Sequence, residues 1–181
     1  TNAINPRTIP TDAHIEAFVD AVPTRSWQVA FGLIAVYGLR PHEVFCISED
    51  IDQAGLIEIN SKKLSLGKEG WRIVQPRRTD WIERWNLRGA EVPGFNPKHD
   101  AKALGKRVSQ QFARYRDQGL FTLWRDEPKT YDIRHAYAAA LHTQAKFQQI
   151  SVDQAAEWMG HSTKVHKDTY LRWLSKSSAK D

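Results

Sequence analysis

Two short alternating stretches interrupt a chain that otherwise repeats at helical spacing. Leu56-Ile57-Glu58-Ile59 alternates in the manner of a strand, and Trp71-Arg72-Ile73-Val74 reads as its return. Gly67 and Gly70 bracket the turn, and Pro76 closes the unit. A single hairpin cannot build a sandwich, a barrel or a parallel sheet, because each of those needs many strands or repeated strand–helix units. It has to lie on helices. The expected fold class is therefore α+β, mainly helical, with a small antiparallel β-hairpin or sheet packed on helices.

The helices are marked by their ends as much as by their stripes. Thr11 reads as an N-cap before Ile15, Phe18 and Val19, and Pro23 ends that helix. A second helix starts near Ser26, carries Trp27, Ala30, Phe31, Ile34 and Tyr37, and stops at Gly38. Pro41 fits the first turn of a short helix reaching Ile47. Helical patterning returns over Thr79–Asn86, then Gly89–Pro97 reads as a loop. A helix from about Lys98 to Asp117 puts Leu104, Val108, Phe112 and Tyr115 on one stripe. Asp132 to Gln148 is Ala-rich, Val152–Met159 ends at Gly160, and Lys167–Leu174 closes the pattern. Residues 1–10 read as an arm or linker, 11–175 as one domain, and 176–181 as a polar tail. The sole Met is Met159, so the sequence reads as part of a longer protein.

Composition narrows the function classes. One Cys among 181 residues excludes a disulfide framework and any Cys-rich zinc site, and Cys46 reads as core. No apolar run approaches the ~20 residues needed to cross a bilayer, so no membrane partner is expected. The seven His show no metal-ligand spacing, so no metal and no other cofactor is expected. Net charge is +5, but it is uneven. From Lys62 to Arg116 there are 14 Lys and Arg against five acids. A basic middle on an otherwise acidic chain points to an anionic partner, most commonly nucleic acid. Lys98, Lys102 and Lys106 recur every four residues, a spacing that suits a phosphate backbone lying across them.

Four separated points carry chemistry. Tyr37-Gly38-Leu39-Arg40-Pro41-His42-Glu43 puts an Arg at a helix junction. Thr130-Tyr131-Asp132-Ile133-Arg134-His135 puts another at a helix start. Met159-Gly160-His161 puts a His after a helix-ending Gly, and Tyr170 follows nine residues later. Each has an ordinary structural reading, such as an Arg40–Glu43 pair or a core tyrosine.

Together, in order and spacing, they resemble the tyrosine recombinase (phage integrase) family. "YGLRPHE" is similar to the family's first-arginine box, "TYDIRHAYAAALH" to its H-x-L-R-H box, and "MGHSTKVHKDTY" to its L-G-H box with the nucleophilic Tyr nine residues on. The resemblance runs from about Ile9 to Trp173. It implies a tyrosine-recombinase-like catalytic domain that cuts and rejoins DNA through a covalent 3′-phosphotyrosyl link. It assigns Tyr170 as nucleophile, Arg40 and Arg134 as phosphate clamps, and His161 as a donor to a phosphate oxygen. Two guanidinium forks can neutralise a phosphoryl transition state without a metal. In the family a hairpin Lys supplies the leaving-group proton: its usual place four residues beyond a strand Ile selects Lys63, which shares the parity of Ile57 and Ile59, while counting back from the return strand favours Lys68, and Lys62 is third.

Further expectations follow from the same resemblance. Lys62, Lys68, Arg72, Lys98, Lys102, Lys106 and Arg107 would contact DNA. Glu43 and His135 would support the site from behind. Tyr131 stands where the second box normally opens with His. That variant resembles the excision recombinases of cyanobacterial DNA elements. The partners implied are double-stranded DNA and other protomers of a tetramer on DNA, with a monomer in isolation. Trp173 and Leu174 would dock on a neighbour. A separate N-terminal DNA-clamp domain would precede this chain, and a prokaryotic or phage protein of the cytoplasm and nucleoid is expected. Two other readings remain: a non-catalytic DNA-binding module derived from an integrase, and a type IB topoisomerase-like or telomere-resolving enzyme.

Overall fold

The computed structural model describes residues 4–5, 8–60 and 71–178, with 171–178 as backbone only. The helices are α1 (Asp12–Ala21), α2 (Arg25–Tyr37), α3 (Thr79–Arg84), α4 (Ala101–Asp117), α5 (Thr130–Thr143), α6 (Val152–Met159) and α7 (Thr163–Ser178). Three strands, β1 (Ile47–Glu49), β2 (Ile57–Asn60) and β3 (Trp71–Val74), form an antiparallel sheet in that order. The mainly helical α+β expectation is therefore met. Among the described residues no helix is long and apolar enough to cross a membrane.

Helix α2 is the centre. Every residue from Val29 to Tyr37 is buried, so it is apolar all round rather than striped, as a fully enclosed helix must be. Around it pack α1, α4 and α5. Phe18 of α1 meets Phe31, Phe112 and Phe121 at ring separations of 5.1, 5.1 and 4.8 Å, edge to face. Truncating Phe18 to Ala would cost ~3–5 kcal/mol, because three rings would line the resulting void.

Helix ends correct several boundaries. Thr11 caps α1, as its sequence suggests, accepting from the His14 N–H. The fourth helix begins at Ala101, not Lys98, because Asp100 accepts the Ala103 N–H at 2.8 Å. Lys98 lies in the preceding turn, so only Lys102 and Lys106 ride the helix. Helix α5 starts at Thr130 and ends at Thr143, where Gln144 turns extended, and a 3-10 turn (Ala145–Phe147) follows. The segment after Arg40 is a 3-10 helix, Pro41–Phe45, and Ile47 already belongs to β1. That strand escapes sequence reading because three residues with one apolar side chain carry no period.

Ile57 and Ile59 of β2 face the core, paired with Val74 and Arg72 of β3. The N-terminal arm is tied down at Ile4, whose N–H donates to the Thr169 carbonyl at 3.1 Å. Helix α7 breaks helical geometry at one residue, Tyr170, with φ −118° and ψ 21°.

Candidate active site

Two helix C-termini are turned toward one place, and each ends in a left-handed glycine. Gly38 (φ 65°) closes α2, and Gly160 (φ 73°) closes α6. Neither tolerates a side chain. A Cβ on Gly38 would lie 2.3 Å from the Tyr137 ring, and one on Gly160 would lie 2.7 Å from Arg72 and 2.9 Å from Arg40. The chain therefore approaches the arginines closely at Gly160.

The carbonyls at these ends accept from guanidinium groups, the arrangement that the negative pole of a helix favours. Arg134 donates to Gly38 O at 2.7 Å and to Met159 O at 2.5 Å. Arg40 donates to Gly160 O at 2.8 Å, and Arg72 to Trp158 O at 3.1 Å. One carboxylate serves all three. Glu43 is 1% exposed. It accepts from both terminal nitrogens of Arg72 and from the Arg40 backbone N–H at 2.7 Å. It also lies 3.5 Å from the Arg40 side chain and 4.0 Å from Arg134. Burial alone would raise Glu43, but the Arg72 bonds and the three guanidinium charges outweigh it and hold the carboxyl at about 2. Arg134 is wholly enclosed, and burial together with the nearby charge of Arg40 brings it down to about 10.

Tyr170 is 2% exposed. Its hydroxyl is 2.9 Å from His135 Nδ1. Burial pushes the phenol up to about 12, against the opposing charges of Arg134 and Arg40. His161 lies beside it, with ring centroids 6.2 Å apart. Burial and then the charge of Arg134 lower His161 to about 3, and burial lowers His135 to about 4, so both are neutral near pH 7. Tyr131 is exposed at the rim, its ring 6.0 Å from that of His135. Asp132 fixes the start of α5 by accepting from Arg125 at 2.7 and 2.8 Å, Trp124 at 3.1 Å and the Lys129 N–H at 2.9 Å.

Arg40, Glu43, Arg134, His135, His161 and Tyr170 thus come together, with Tyr131 at their edge. Lys62, Lys63 and Lys68 lie outside the described residues, as do the side chains of Trp173 and Leu174. Two of the residues expected to face DNA do not stand free. The Arg72 side chain is 7% exposed and bound to Glu43. Arg107 donates to Gly94 O at 2.6 Å and lies over the Trp27 and Phe45 rings. The basic middle is likewise not one continuous face. Arg77 and Arg78 pair with Asp12, Arg84 with Asp20, and Arg88 with Glu83. Lys98, Lys102 and Lys106 remain exposed, with no ion pair among the described residues.

Sequence reasoning missed the role of Arg72, because its partner lies 29 residues earlier. It also missed His142 and His166, which form a chain with His161. A detectable signal existed for His166: it precedes Tyr170 by four residues, the same helix face.

No family model matches the chain. Excisase A of Nostoc sp. (strain PCC 7120) is 34% identical over 199 residues, covering 94% of this chain and 40% of that relative. XerA recombinase superposes with a TM-score of 0.60 at 12% identity, over 99% of this chain and 66% of that one. XerH site-specific recombinase, bound to its difH substrate before cleavage, superposes with a TM-score of 0.56 at 18% identity, over 95% and 53%. The fold is that of a tyrosine recombinase catalytic domain. The chain spans two fifths of Excisase A and about half of XerH. Within this recombinase fold, the three sequence boxes converge on the ends of α2 and α6 and on the break in α7.

Proposed function

We propose that the chain is the catalytic part of a site-specific DNA recombinase of the excision type, cutting and rejoining DNA through Tyr170. The observation that carries this reading is the convergence of Arg40, Arg134 and His161 beside a tyrosine hydroxyl 2.9 Å from a neutral imidazole. The excisase relative and the DNA-bound recombinase neighbour support it.

The Arg40 and Arg134 guanidiniums hold a phosphodiester and offset the charge that grows on phosphorus. The Tyr170 O–H donates to His135 Nδ1, which takes the proton as the phenol oxygen attacks phosphorus. The bond to the 5′-oxygen breaks, and a hairpin Lys, Lys63 on the family resemblance, protonates it. The phosphotyrosyl ester conserves the bond energy, so a second 5′-hydroxyl reverses the step with no cofactor. His161 donates to a non-bridging oxygen. Tyr131 is a rim residue placed to hydrogen-bond a phosphate oxygen. His135 therefore does more than pack behind the site. Glu43 and Arg72 fix the clamp. Lys62, Lys68, Lys98, Lys102 and Lys106 meet the DNA backbone, and Arg72 and Arg107 stay with their protein partners. On this reading residues 11–175 form the catalytic domain behind a separate DNA-clamp domain, the free protein is a monomer, and a tetramer assembles on DNA in a prokaryotic or phage setting.

The test is covalent capture. The protein is incubated with nicked duplexes randomised around the nick, so that the small released fragment cannot re-ligate. A denaturant-resistant protein–DNA adduct that Tyr170→Phe abolishes is expected. No adduct, or an equal yield in the variant, would refute the catalytic reading and leave a DNA-binding module. Relaxation of supercoiled DNA without strand exchange would favour a topoisomerase.

A further inference from the structure

Behind His161 lies a chain of imidazoles. His161 Nε2 is 2.7 Å from His166 Nδ1, and His166 Nε2 is 2.7 Å from His142 Nε2. His166 is fully buried in the first turns of α7, and both of its nitrogens are spent in the chain. His142 is half-buried in the last turn of α5, two turns beyond Tyr170's hydroxyl partner His135 on the same side of the helix. Among the described residues, the remaining nitrogens, Nδ1 of His161 and Nδ1 of His142, have no hydrogen-bond partner within the protein. Burial comes first among the causes that lower all three pKa values, to about 3 for His161 and about 4 for His166, with His142 also below its ordinary value. Each ring is therefore neutral at pH 7 and carries one proton.

Proton counting then allows only two arrangements. Each N···N bond needs one proton, and each neutral ring has one to give. In the outward arrangement His161 donates through Nε2 to His166, His166 donates through Nε2 to His142, and His142 keeps its proton on Nδ1. His161 Nδ1 is then a bare lone pair. In the inward arrangement His142 donates to His166, His166 donates through Nδ1 to His161, and His161 carries its proton on Nδ1. The two differ by one proton moved the length of the chain, with no ring ever charged. The groups facing His161 are cationic: Arg134, Arg40 and Arg72. They favour the bare lone pair, hence the outward arrangement. An anionic phosphate held by the same guanidiniums reverses that preference.

We propose that His166 and His142 are positioning residues that form a proton relay between His161 and solvent, and that phosphate binding switches the relay from the outward to the inward arrangement. The switch gives His161 a donor on Nδ1 at the moment a phosphate oxygen is there to accept it. As the phosphate enters, His161 Nδ1 takes up a proton from cleft water, each bonded proton moves one ring toward His142, and His142 Nδ1 gives one proton to solvent, so the count closes with every ring neutral. The catalytic consequence rests on the recombinase reading above; the relay itself does not.

Imidazole ¹⁵N chemical shifts distinguish the two nitrogens of each ring. Inorganic phosphate is titrated into ¹⁵N-histidine-labelled protein. His142 is expected to move its proton from Nδ1 to Nε2, and His161 from Nε2 to Nδ1, along one binding curve. If His142 keeps its tautomer throughout the titration, the relay is refuted, whether or not adducts form. In the adduct assay His142→Ala is expected to slow cleavage about tenfold or more, and added imidazole to restore it by filling the gap. An unchanged rate, or a loss that imidazole does not rescue, overturns the catalytic use of the relay. Because His142 is half-buried, that variant avoids the core disruption that His166→Phe would bring. Absence of any adduct in the unaltered protein, with the tautomer switch present, would instead refute the recombinase reading alone.

Discussion

Glu43→Gln is the perturbation that reads the site most directly, because it keeps the shape and removes one charge. The carboxyl falls from the ordinary 4.5 to about 2 between solvent and the folded protein. That gap corresponds to ~3 kcal/mol of stability at neutral pH. It is a net figure: burial opposes it, and the Arg72 bonds and the charges of Arg72, Arg134 and Arg40 supply it. Because the folded pKa is depressed, the contribution is complete above about 4.5 and is lost as pH falls toward about 2. For a chain of this length, ~3 kcal/mol lowers the melting temperature by ~6–12 °C. Scanning calorimetry of both proteins at pH 7 should show that gap. Repeating the scans at successively lower pH should narrow it, since a protonated Glu43 is chemically close to Gln. Melting temperatures within about 2 °C at pH 7, or a gap that stays constant from pH 6 to pH 3, would mean that the carboxylate does not hold the three guanidiniums together.

Other outcomes follow from the same geometry. Gly160→Ala puts a Cβ under 3 Å from two guanidiniums at a positive φ, and should cost ~1–3 kcal/mol in urea unfolding and reduce adduct yield more than it reduces stability. Replacing Lys98, Lys102 and Lys106 together with Gln should weaken duplex binding and flatten the log K against log salt slope by about 2–3, one phosphate contact per lysine; an unchanged slope in a filter-binding titration would remove these residues from the DNA face. His135→Phe removes the hydrogen-bond partner of the Tyr170 hydroxyl, and on the recombinase reading should slow single-turnover adduct formation by ~10²–10⁴ while the protein still binds DNA.

Much of this was legible in the chain because the relevant signals are local. Gly38 and Gly160 end helices by their own conformational freedom, so the positions of Arg40 and His161 just beyond them could be read without a structure. What escaped depends on distance in space. A charge count treats Arg72, Arg77 and Lys102 alike, yet the first two are buried against Glu43 and Asp12 and the third is exposed. Planar guanidiniums suit enclosed carboxylates and carbonyls, while ammonium groups hold their water, so the fold sorts the two residue types into different places. The start of α4 was misplaced because periodicity extends to Lys98, whereas the Asp100 cap decides the boundary. The imidazole chain joins α5 to α7 and has no sequence period at all.

The sorting of charge also explains why three arginines can share one acid. Arg40, Arg72 and Arg134 bring three positive charges to a cluster whose sole carboxylate among the described residues is Glu43. Repulsion among them is tolerated because the carbonyls of Gly38, Trp158, Met159 and Gly160 accept their hydrogen bonds, and these belong to the negative ends of α2 and α6. Carbonyl dipoles satisfy donors but cannot cancel charge, so the described residues leave about two positive charges uncompensated within the cluster. The neighbouring histidines do not add to the excess, since burial and those same charges keep His161 neutral. A phosphodiester is an anion whose oxygens can accept from Arg40, the most exposed of the three guanidiniums at 26%. On the proposed recombinase reading, its arrival removes repulsion already present in the folded chain, so part of the binding energy would come from the protein's own charge arrangement rather than from contacts with the DNA. Substitutions that lower the excess, such as Arg72→Met, should therefore weaken phosphate binding even though Arg72 itself points at Glu43.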